Sequence, residues 1–324
     1  MTVKTLSLPE LYLKWSINMN SKEIDNLVNR FIVKTAKGTV NPRIQQVTVR
    51  LLSDLFKAIE DLDLQQTEIW KGLEYLADTG IAQEMGLLAA GTGLERFMDI
   101  RADEAEIKAG LHGGTPRTIE GPLYVAGAPV CQAWARLDDG SEDNQGEVLF
   151  MQGTVWNEKG QPLPGASVEV WHANTLGNYS FFDKSQSAFN LRRTLITDRQ
   201  GRYQFRSIVP SGYGCPPDGP VQHLLNQLGR HGRRPAHIHF FVTAAGYRKL
   251  TTQINIDGDE YLWDDFAFAS REGLVPEVHK VISPEQIASK NLSKPFTSID
   301  FDFTLCQERA AVPDPVVERR HAQG

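Results

Sequence analysis

The stretch from Arg233 to Val242, with the sequence RRPAHIHFFV, constrains this chain more than any other. It predicts a β-strand entered from a turn, because proline suits a strand entrance and the Ile, Phe and Val residues favour a pleated, buried surface. Side chains alternate between the faces of a strand, so His237 and His239 project to the same side. Two neutral imidazoles supply half of a four-ligand site for zinc, copper, iron or nickel. The pair alone fits equally well two histidines that are hydrogen-bonded inside a sandwich.

The composition excludes several classes of partner. The 324 residues are 41% hydrophobic and 23% charged, which is typical of a globular protein, and a formal charge of −6 argues against a nucleic-acid partner. No run of about 18 apolar residues occurs, so we do not expect a membrane protein. The three cysteines lie far apart and suggest no disulfide framework. The first 14 residues contain the charged Lys4, Glu10 and Lys14, which leave no uninterrupted apolar stretch, so we do not expect a secretory signal. We therefore expect a cytoplasmic protein.

The chain divides into four predicted regions: an N-terminal extension (1–20), a helical domain (21–106), a β-sandwich domain with long loops (107–309) and a disordered tail (310–324). Asn41 and Pro42 form a helix start, with an N-cap followed by proline at the first helical position. One apolar stripe at helical spacing follows, made of Ile44, Val47, Leu51, Leu52, Leu55, Ile59 and Leu62. Residues 21–106 are therefore predicted to be helical.

After residue 106 glycine and proline break every helical pattern, and we interpret 107–147 as a long ordered loop or linker. From Val148 the hydrophobic period drops to two. Strands are predicted at 148–156, 168–171, 203–208, 237–242, 251–256 and 299–305. Short strands separated by Gly and Pro turns indicate an antiparallel sandwich, so the predicted fold class is α+β with the helices first.

Two turn-rich segments each place a tyrosine beside glycine. They are Gly177-Asn178-Tyr179 and Gly212-Tyr213-Gly214. Either tyrosine alone is compatible with a packed aromatic ring whose hydroxyl is satisfied. A phenolate is nonetheless a hard anionic oxygen ligand, and tyrosine binds iron in catalase. A set of two phenolates and two imidazoles would favour Fe(III) over Fe(II).

Four segments together resemble the intradiol ring-cleavage dioxygenase family. They are TPRTIEGPLYV at 115–125, the stretch 165–180, GYGCP at 212–216, and 234–240, and the likeness covers about residues 25–308. The resemblance implies one Fe(III) per subunit, held by Tyr179, Tyr213, His237 and His239. The spacings of 34 (213−179), 24 (237−213) and 2 (239−237) fit that family's pattern.

The same resemblance implies catalytic roles for three residues. Arg234 would stabilise negative charge that develops on the substrate, and Gln253 would lie in the pocket beside the metal ligands. Tyr213 would leave the metal and accept a substrate proton. An apolar substrate pocket is implied, lined by Leu87, Ala90, Ile119, Pro122 and Leu123. His172 matches no ligand of the family, so we interpret it as structural.

The activity implied is the conversion of catechol and O2 to cis,cis-muconate, as in aromatic degradation by the β-ketoadipate pathway. Residues 119–124 and the full-length helical region look more like the catechol type than the hydroxyquinol or chlorocatechol types. Members of the family are commonly homodimers joined through the helical domain, and some carry a lipid there. We therefore expect a homodimer that binds a small aromatic diol, with a lipid as a further candidate ligand.

Two readings from other classes stand beside this one. A zinc hydrolase could use the His237 and His239 pair, but the chain has neither an HExxH motif nor a cysteine pair with zinc spacing. Segments 160–166 and 201–205 also resemble transthyretin-like binding modules, which are structural. Such a module does not explain two tyrosines, two histidines and an arginine in register. Metal analysis separates the three hypotheses, which predict iron, zinc or no metal.

Overall fold

The computed structural model describes residues 19–110, 113–142 and 145–309, and the backbone of Ala322 and Gln323. The chain divides into two compact units, Met1–Asp78 and Thr79–Gly324. Most of the predicted N-terminal extension and of the predicted tail lies outside the described residues. Ala322–Gln323 is the exception within the tail, because it pairs in parallel with Val125–Ala126.

The first unit is helical. It contains α1 (Ser21–Ile32) and α2 (Pro42–Asp61), and α3 (Gln66–Ile81) crosses the boundary between the units. Asn20 caps α1 in a capping box with Glu23. The predicted start of α2 is observed, since the Asn41 side chain accepts from two backbone amides and Pro42 is the first helical residue. An ion pair of 2.8 Å between Lys57 and Asp25 joins α2 to α1.

The second unit begins with two further helices, α4 (Met85–Gly91) and α5 (Leu94–Lys108). Two short helices follow later, α6 (Pro220–Gln227) and α7 (Pro284–Ser289). The strands are β1 (Val125–Ala126), β2 (Val130–Cys131), β3 (Trp134–Arg136), β4 (Val148–Asn157), β5 (Ser167–His172), β6 (Arg192–Ile196), β7 (Arg202–Ile208), β8 (Tyr213–Gly214), β9 (Arg233–Arg234), β10 (His237–Thr243), β11 (Leu250–Asn255), β12 (His279–Val281), β13 (Phe296–Asp300), β14 (Phe303–Leu305) and β15 (Ala322–Gln323). No helix among the described residues is both long and apolar enough to cross a membrane.

Two sheets form the sandwich. One has the order β11-β10-β5-β6-β2 and the other β12-β13-β4-β7-β3. Their main buried cluster combines residues of both sheets, such as Phe240 and Ile254 from the first and Met151 and Phe205 from the second. Helices followed by a two-sheet unit confirm the predicted α+β class.

The sheets are mixed rather than purely antiparallel. The pairs β2–β6, β3–β7 and β13–β4 are parallel, whereas β4–β7, β5–β6, β5–β10 and β10–β11 are antiparallel. The parallel partners are far apart in the chain, so no hairpin turn fixes their direction. Three short strands, β1, β2 and β3, lie inside the segment 107–147, which the sequence analysis predicted to be a loop or linker.

The predicted strand 299–305 is observed as two strands, β13 and β14, which both pair with β4. Between them the backbone of Phe301 approaches Gly153 so closely that a Cβ on the glycine would lie 1.7 Å from the Phe301 carbonyl oxygen. The Asp302 carboxylate accepts from the Thr154 amide at 2.7 Å and takes the place of a ladder hydrogen bond. The Asp302 side chain therefore interrupts the pairing with β4, although the alternating sequence pattern predicts one continuous strand.

Candidate metal centre

The two histidines of β10 lie in the interior of the first sheet. Strand β10 is flanked by β11 and β5, and each histidine is 1% exposed. As the period of a strand predicts, both rings project to one side, with their Nε2 atoms 3.0 Å apart and their planes at 85°. The sheet therefore holds two ring nitrogens at one point.

The protonation of these rings favours metal binding. His237 Nδ1 lies 2.6 Å from the Pro235 carbonyl oxygen, which only accepts, so Nδ1 carries the hydrogen and Nε2 presents a lone pair. Burial, aided by the neighbouring Arg234 charge, lowers the pKa of His237 to about 3. Burial and the neighbouring His237 hold the pKa of His239 well below its ordinary value. Both imidazoles are therefore neutral in the folded protein, as metal ligation requires.

The two tyrosines reach the same point from turns. Tyr179 is 3% exposed, and its Oη lies 3.4 Å from His237 Nε2. Tyr213, on β8, is half-buried and meets the Tyr179 ring edge to face, with 5.4 Å between the ring centroids. Burial, followed by the neighbouring Tyr213, raises the pKa of Tyr179 well above the ordinary value for a phenol. Because Tyr179 is buried, its phenolate form requires a positive charge nearby.

The donor set fits a metal ion. Two bonds of about 2.1 Å, the length of a metal–imidazole bond, place their donor atoms about 3.0 Å apart when they meet at a right angle. The Nε2 atoms of the two histidines show this separation. Within the part of the chain that the structure describes, no cluster of three or more His, Cys, Asp or Glu side chains could hold an ion. Among the described residues, the phenol groups of Tyr179 and Tyr213 lie beside this pair, and phenol oxygens suit a hard, highly charged cation better than zinc.

A guanidinium closes one side of the centre. Arg234, on β9, is 3% exposed, and its Nη1 lies 3.1 Å from His237 Nε2 and 3.4 Å from Tyr213 Oη. Strand β9 pairs with β8 so that Arg234 is directly opposite Tyr213. The short β8–β9 ladder therefore brings this cation and this phenol together.

Gln253 lies in the layer behind the arginine. Gln253 is on β11, directly opposite His239 of β10, and its Oε1 accepts a hydrogen bond from Arg234 Nη2 at 2.8 Å. Its amide nitrogen donates to Asn255 at 2.7 Å, and Asn255 in turn donates to Ser270 at 2.9 Å. Gln253 thus contacts the arginine, and its place in a buried chain of hydrogen bonds fixes its orientation.

A buried apolar cluster, the apolar wall of this site, reaches the centre through Phe266, which follows Asp265, the ion-pair partner of Arg234. Of the predicted pocket residues, Ala90 and Ile119 belong to this buried cluster, and the partly buried Leu87 of α4 packs against it. Leu123 packs instead against the cluster around Tyr179, and Pro122 is exposed and lies against Gly86 of α4. The segment that carries these residues passes the metal centre closely. A Cβ on Gly121 (φ +70°) would lie 3.6 Å from the His239 ring.

Four residues near the centre were not predicted from the sequence. Phe266 and Ala267 complete the apolar cluster, Asp265 pairs with Arg234, and Trp171 stacks on His239. No local sequence pattern marks Trp171, because its position opposite His239 follows from the pairing of β5 with β10. Nothing in the sequence separates Asp265 from its neighbour Asp264.

His172 does not reach the metal centre. Its Nδ1 lies 2.8 Å from the Ala173 carbonyl oxygen and its Nε2 2.7 Å from the Ser207 hydroxyl. Burial lowers its pKa to about 4. Both ring nitrogens are therefore occupied by partners on the sandwich side of β5.

Two known protein families match most of the chain. Residues 41–110 match the family described as the N terminus of catechol dioxygenases, and residues 119–306 match the dioxygenase family. The chain belongs to the intradiol catechol dioxygenase family. This dioxygenase is 61% identical over 295 residues to the catechol 1,2-dioxygenase of Acinetobacter guillouiae, an alignment that covers 91% of this chain and 97% of the relative.

Solved structures agree with this placement. The wild-type catechol 1,2-dioxygenase of Acinetobacter radioresistens superposes on this dioxygenase with a TM-score of 0.92 at 61% identity, covering 94% of this chain and 99% of that one. Enzymes with other named substrates are more distant. The hydroxyquinol 1,2-dioxygenase of a Rhizobium species is 31% identical, covering 85% of this chain and 93% of its own length. The 3-chlorocatechol 1,2-dioxygenase of Rhodococcus opacus superposes with a TM-score of 0.67 at 26% identity, covering 82% and 99%.

Proposed function

We propose that this dioxygenase cleaves catechol with O2 between the two hydroxyl-bearing carbons, giving cis,cis-muconate. The observation that carries the proposal is the convergence on His237 Nε2, which lies 3.4 Å from Tyr179 Oη and 3.0 Å from His239 Nε2, beside an apolar wall. High identity to relatives named catechol 1,2-dioxygenase supports the choice of catechol.

Tyr179, Tyr213, His237 and His239 would hold one ferric ion in each subunit. A ferric ion held by these residues would supply Lewis acidity, which would make the ring of an aromatic diol reactive toward O2. Two phenolates and two neutral imidazoles leave part of the ion's charge uncompensated, which attracts an anionic diol. The same charge offsets the burial that raises the pKa of Tyr179.

Tyr213 and Arg234 would handle protons and charge. Tyr213 is half-buried, and its Oη, as a phenolate that would bind the metal, could accept a proton from a substrate hydroxyl. The arginine Nη1 lies 3.4 Å from this oxygen. The same guanidinium can stabilise negative charge that develops on the substrate, and it needs no reorganisation to do so. Gln253 keeps this cation in place through its contact with Nη2.

The apolar wall would orient the flat ring. Leu87, Ala90, Ile119 and Phe266 present hydrocarbon and no hydrogen-bonding groups, so the polar edge of a diol has favourable partners only at the metal centre. Burial of the ring also excludes water from the reacting carbons. The site is thus suited to a small aromatic diol rather than to a bulky substrate.

Product analysis tests this function. Iron-loaded protein supplied with catechol should consume one O2 per catechol and give cis,cis-muconate, identified by its ultraviolet spectrum and by mass spectrometry. Zinc-loaded protein is the matched control and should be inactive. A yellow semialdehyde product, or no turnover with iron bound, would contradict the proposal.

Hydroxyquinol and chlorocatechols are the alternative substrates within the family. Relatives named for hydroxyquinol or 6-chlorohydroxyquinol are 31–34% identical, and two solved chlorocatechol 1,2-dioxygenases are 26–27% identical. Five relatives named for catechol are 48–63% identical. We therefore expect kcat/KM to be highest for catechol. A clear preference for hydroxyquinol would keep the intradiol chemistry and change the substrate.

Our proposal also includes a homodimer joined through the helical domain, with a lipid bound there. Helix α2 leaves an apolar stripe exposed, made of Ile44, Val47, Leu51 and Leu55, which is compatible with a helical partner. Light scattering gives the mass in solution, and extraction followed by mass spectrometry identifies a lipid. The free Cys131, Cys215 and Cys306 are compatible with a reducing cytoplasm.

A further inference from the structure

We propose that Asp265 is the positioning residue that aims Arg234 at the reacting atoms, a role that rests on the proposed function. Arg234 and Asp265 form an ion pair whose side chains are 3% and 1% exposed. Asp265 Oδ1 accepts from Nε at 3.2 Å and Oδ2 accepts from Nη2 at 3.1 Å. This two-point contact fixes the plane of the guanidinium as well as its distance.

The hydrogen-bond inventory of Arg234 shows what the contact achieves. A guanidinium has five N–H groups in a fixed planar fork. Asp265 takes the one on Nε and one on Nη2, and Gln253 takes the second on Nη2. Two N–H groups remain, both on Nη1, and this nitrogen faces Tyr213 Oη and His237 Nε2. Only one edge of the cation is thus free, and it is directed at the candidate metal centre.

Asp265 is itself rigidly held. Its Oδ1 accepts from the Ala267 amide at 3.0 Å and its Oδ2 from the Ala269 amide at 3.3 Å. The same segment is tied to the strand of the arginine, because the Phe266 amide donates to the Arg233 carbonyl at 3.0 Å. One carboxylate therefore joins the catalytic cation to Phe266 and Ala267, which line the apolar wall.

Because the ion pair is buried, each of its two charges needs the other to offset it. A lone guanidinium at this depth would be unfavourable, and the Asp265 carboxylate offsets its charge. The pKa of Asp265 lies below its ordinary value despite burial, because Arg234 stabilises the carboxylate. The arginine can therefore stay charged within 3.1 Å of His237 without repelling a metal ion as strongly as an unpaired cation would.

Four variants test the role: Asp265→Asn, Arg234→Ala, the double variant, and Asp265→Glu. The asparagine keeps the shape but puts an N–H donor against the guanidinium, so Nη1 should turn away from the centre. We expect Asp265→Asn to lower kcat by about tenfold to a hundredfold, the usual cost of losing a group that orients a catalytic residue. In the Arg234→Ala background it should change kcat by less than about twofold, because the group it positions is gone. Asp265→Glu, which keeps the charge, should restore part of kcat.

Readouts other than turnover complete the test. Iron content and the anaerobic Kd of catechol should stay near the wild-type values, since Arg234 acts on developing charge. The crystal structure of Asp265→Asn should show Arg234 Nη1 displaced. The matched control is Asp138→Asn, which breaks another buried ion pair, with Arg206 on the second sheet; it should lower stability but keep kcat.

The outcomes separate this inference from the function on which it rests. Wild-type protein that makes no muconate contradicts the proposed function. Active wild-type protein with an unchanged Asp265→Asn kcat, or with equal losses in both backgrounds, overturns the positioning role. An unmoved Nη1 in the variant structure also overturns it, whatever the activity. If Asp265→Asn does not fold, Asp265→Glu carries the same comparison, and a kcat equal to that of wild type rejects the role.

Discussion

The indole of Trp171 lies parallel to the imidazole of His239, with 4.9 Å between the ring centroids and 4° between the planes. Trp171 is 2% exposed and directly opposite His239 in the pairing of β5 with β10. The sheet register therefore creates the stack. Because the indole covers one face of the imidazole, the ring cannot rotate away from His237, and its Nε2 stays directed at the candidate metal centre.

We expect Trp171→Ala to reduce iron retention as well as stability. Truncation of a buried tryptophan costs about 3–5 kcal/mol of unfolding free energy and leaves a cavity into which the imidazole can turn. Iron content after dialysis against a chelator, together with denaturant unfolding, measures both effects. Trp171→Phe should keep a ring over His239 and retain most of the iron.

Phe205→Ala is the matched control for that variant. Phe205 is fully buried in the sandwich core on the second sheet, so its truncation costs about the same unfolding free energy. It should leave iron retention unchanged. Equal loss of iron in the two alanine variants would show that general destabilisation, and not the stack, releases the metal.

Arg234→Ala should lower kcat by about 10²–10³-fold, the scale for removing one preorganised donor, while the iron and its visible colour remain. The structure adds an expectation for stability. The Asp265 carboxylate would be left buried without its partner, which costs about 3–5 kcal/mol of unfolding free energy. Steady-state kinetics, iron analysis and denaturant unfolding give the three quantities.

Arg234→Lys separates charge from geometry in that experiment. A lysine keeps a cation beside Asp265 but cannot contact the carboxylate at two points and reach Tyr213 at the same time. Stability should largely return, whereas kcat should stay low. An alanine variant that keeps wild-type kcat, or that has lost its iron, would show that the role of Arg234 is misassigned.

The sequence was most informative where a local period decides the structure. His237 and His239 are predicted on one face of a strand by alternation alone, and Asn41 with Pro42 predicts the start of α2. The meeting of Tyr179 with these histidines came from the family resemblance, because both tyrosines lie in turns that have no period. Contacts between turns and strands that are far apart in the chain cannot be predicted from a local sequence pattern.

Other features were missed for definite physical reasons. Helix α6 is too short for its two buried apolar residues, Val221 and Leu225, to establish a helical period. Strand 299–305 is divided because the Asp302 side chain replaces a backbone partner. Asp265 was missed since its function depends on a contact with Arg234 across 31 residues of chain.

Asp99 gives a prediction for the pH dependence of stability. Burial raises its pKa from 3.8 to about 6, and its Oδ2 is buried without a hydrogen-bond partner among the described residues. A carboxyl whose pKa is higher in the folded state binds its proton more tightly there, so its contribution to stability falls as pH rises from 3.8 to about 6. Asp99→Asn removes this loss and should raise the unfolding free energy at pH 7 by about 1–3 kcal/mol.

Denaturant unfolding at several pH values checks the sign. The advantage of Asp99→Asn should shrink below pH 6, be small at pH 4 and disappear below pH 3.8, where the carboxyl is protonated in the folded and the unfolded state. Asp54→Asn is the control, because Asp54 forms an exposed pair with Arg50 and its replacement should change stability little. An Asp99→Asn advantage that persists unchanged at pH 4 would contradict a cause in ionisation.

The two tyrosines differ in how they are held, and we expect only one to leave the metal when catechol binds. Tyr179 is packed in a buried cluster with Trp171, Ala173 and Phe241, so its phenol oxygen has little freedom. Tyr213 is half-buried. Its backbone is tightly confined, since a Cβ on Gly212 would lie 2.6 Å from the Arg234 carbonyl oxygen. Displacement of Tyr213 must therefore be a side-chain rotation.

Anaerobic spectra of three proteins test this difference. Binding of catechol to the wild type should remove one tyrosinate-to-iron charge-transfer contribution and add one from the substrate. Because the Tyr213 phenolate is already off the iron in that complex, Tyr213→Phe with catechol should show nearly the same spectrum, although the free proteins differ. Tyr179→Phe should differ in both states and bind iron more weakly, because it lacks the permanent phenolate. A structure of the anaerobic complex with Tyr179 released, or with both phenolates bound, would show that the roles are assigned wrongly.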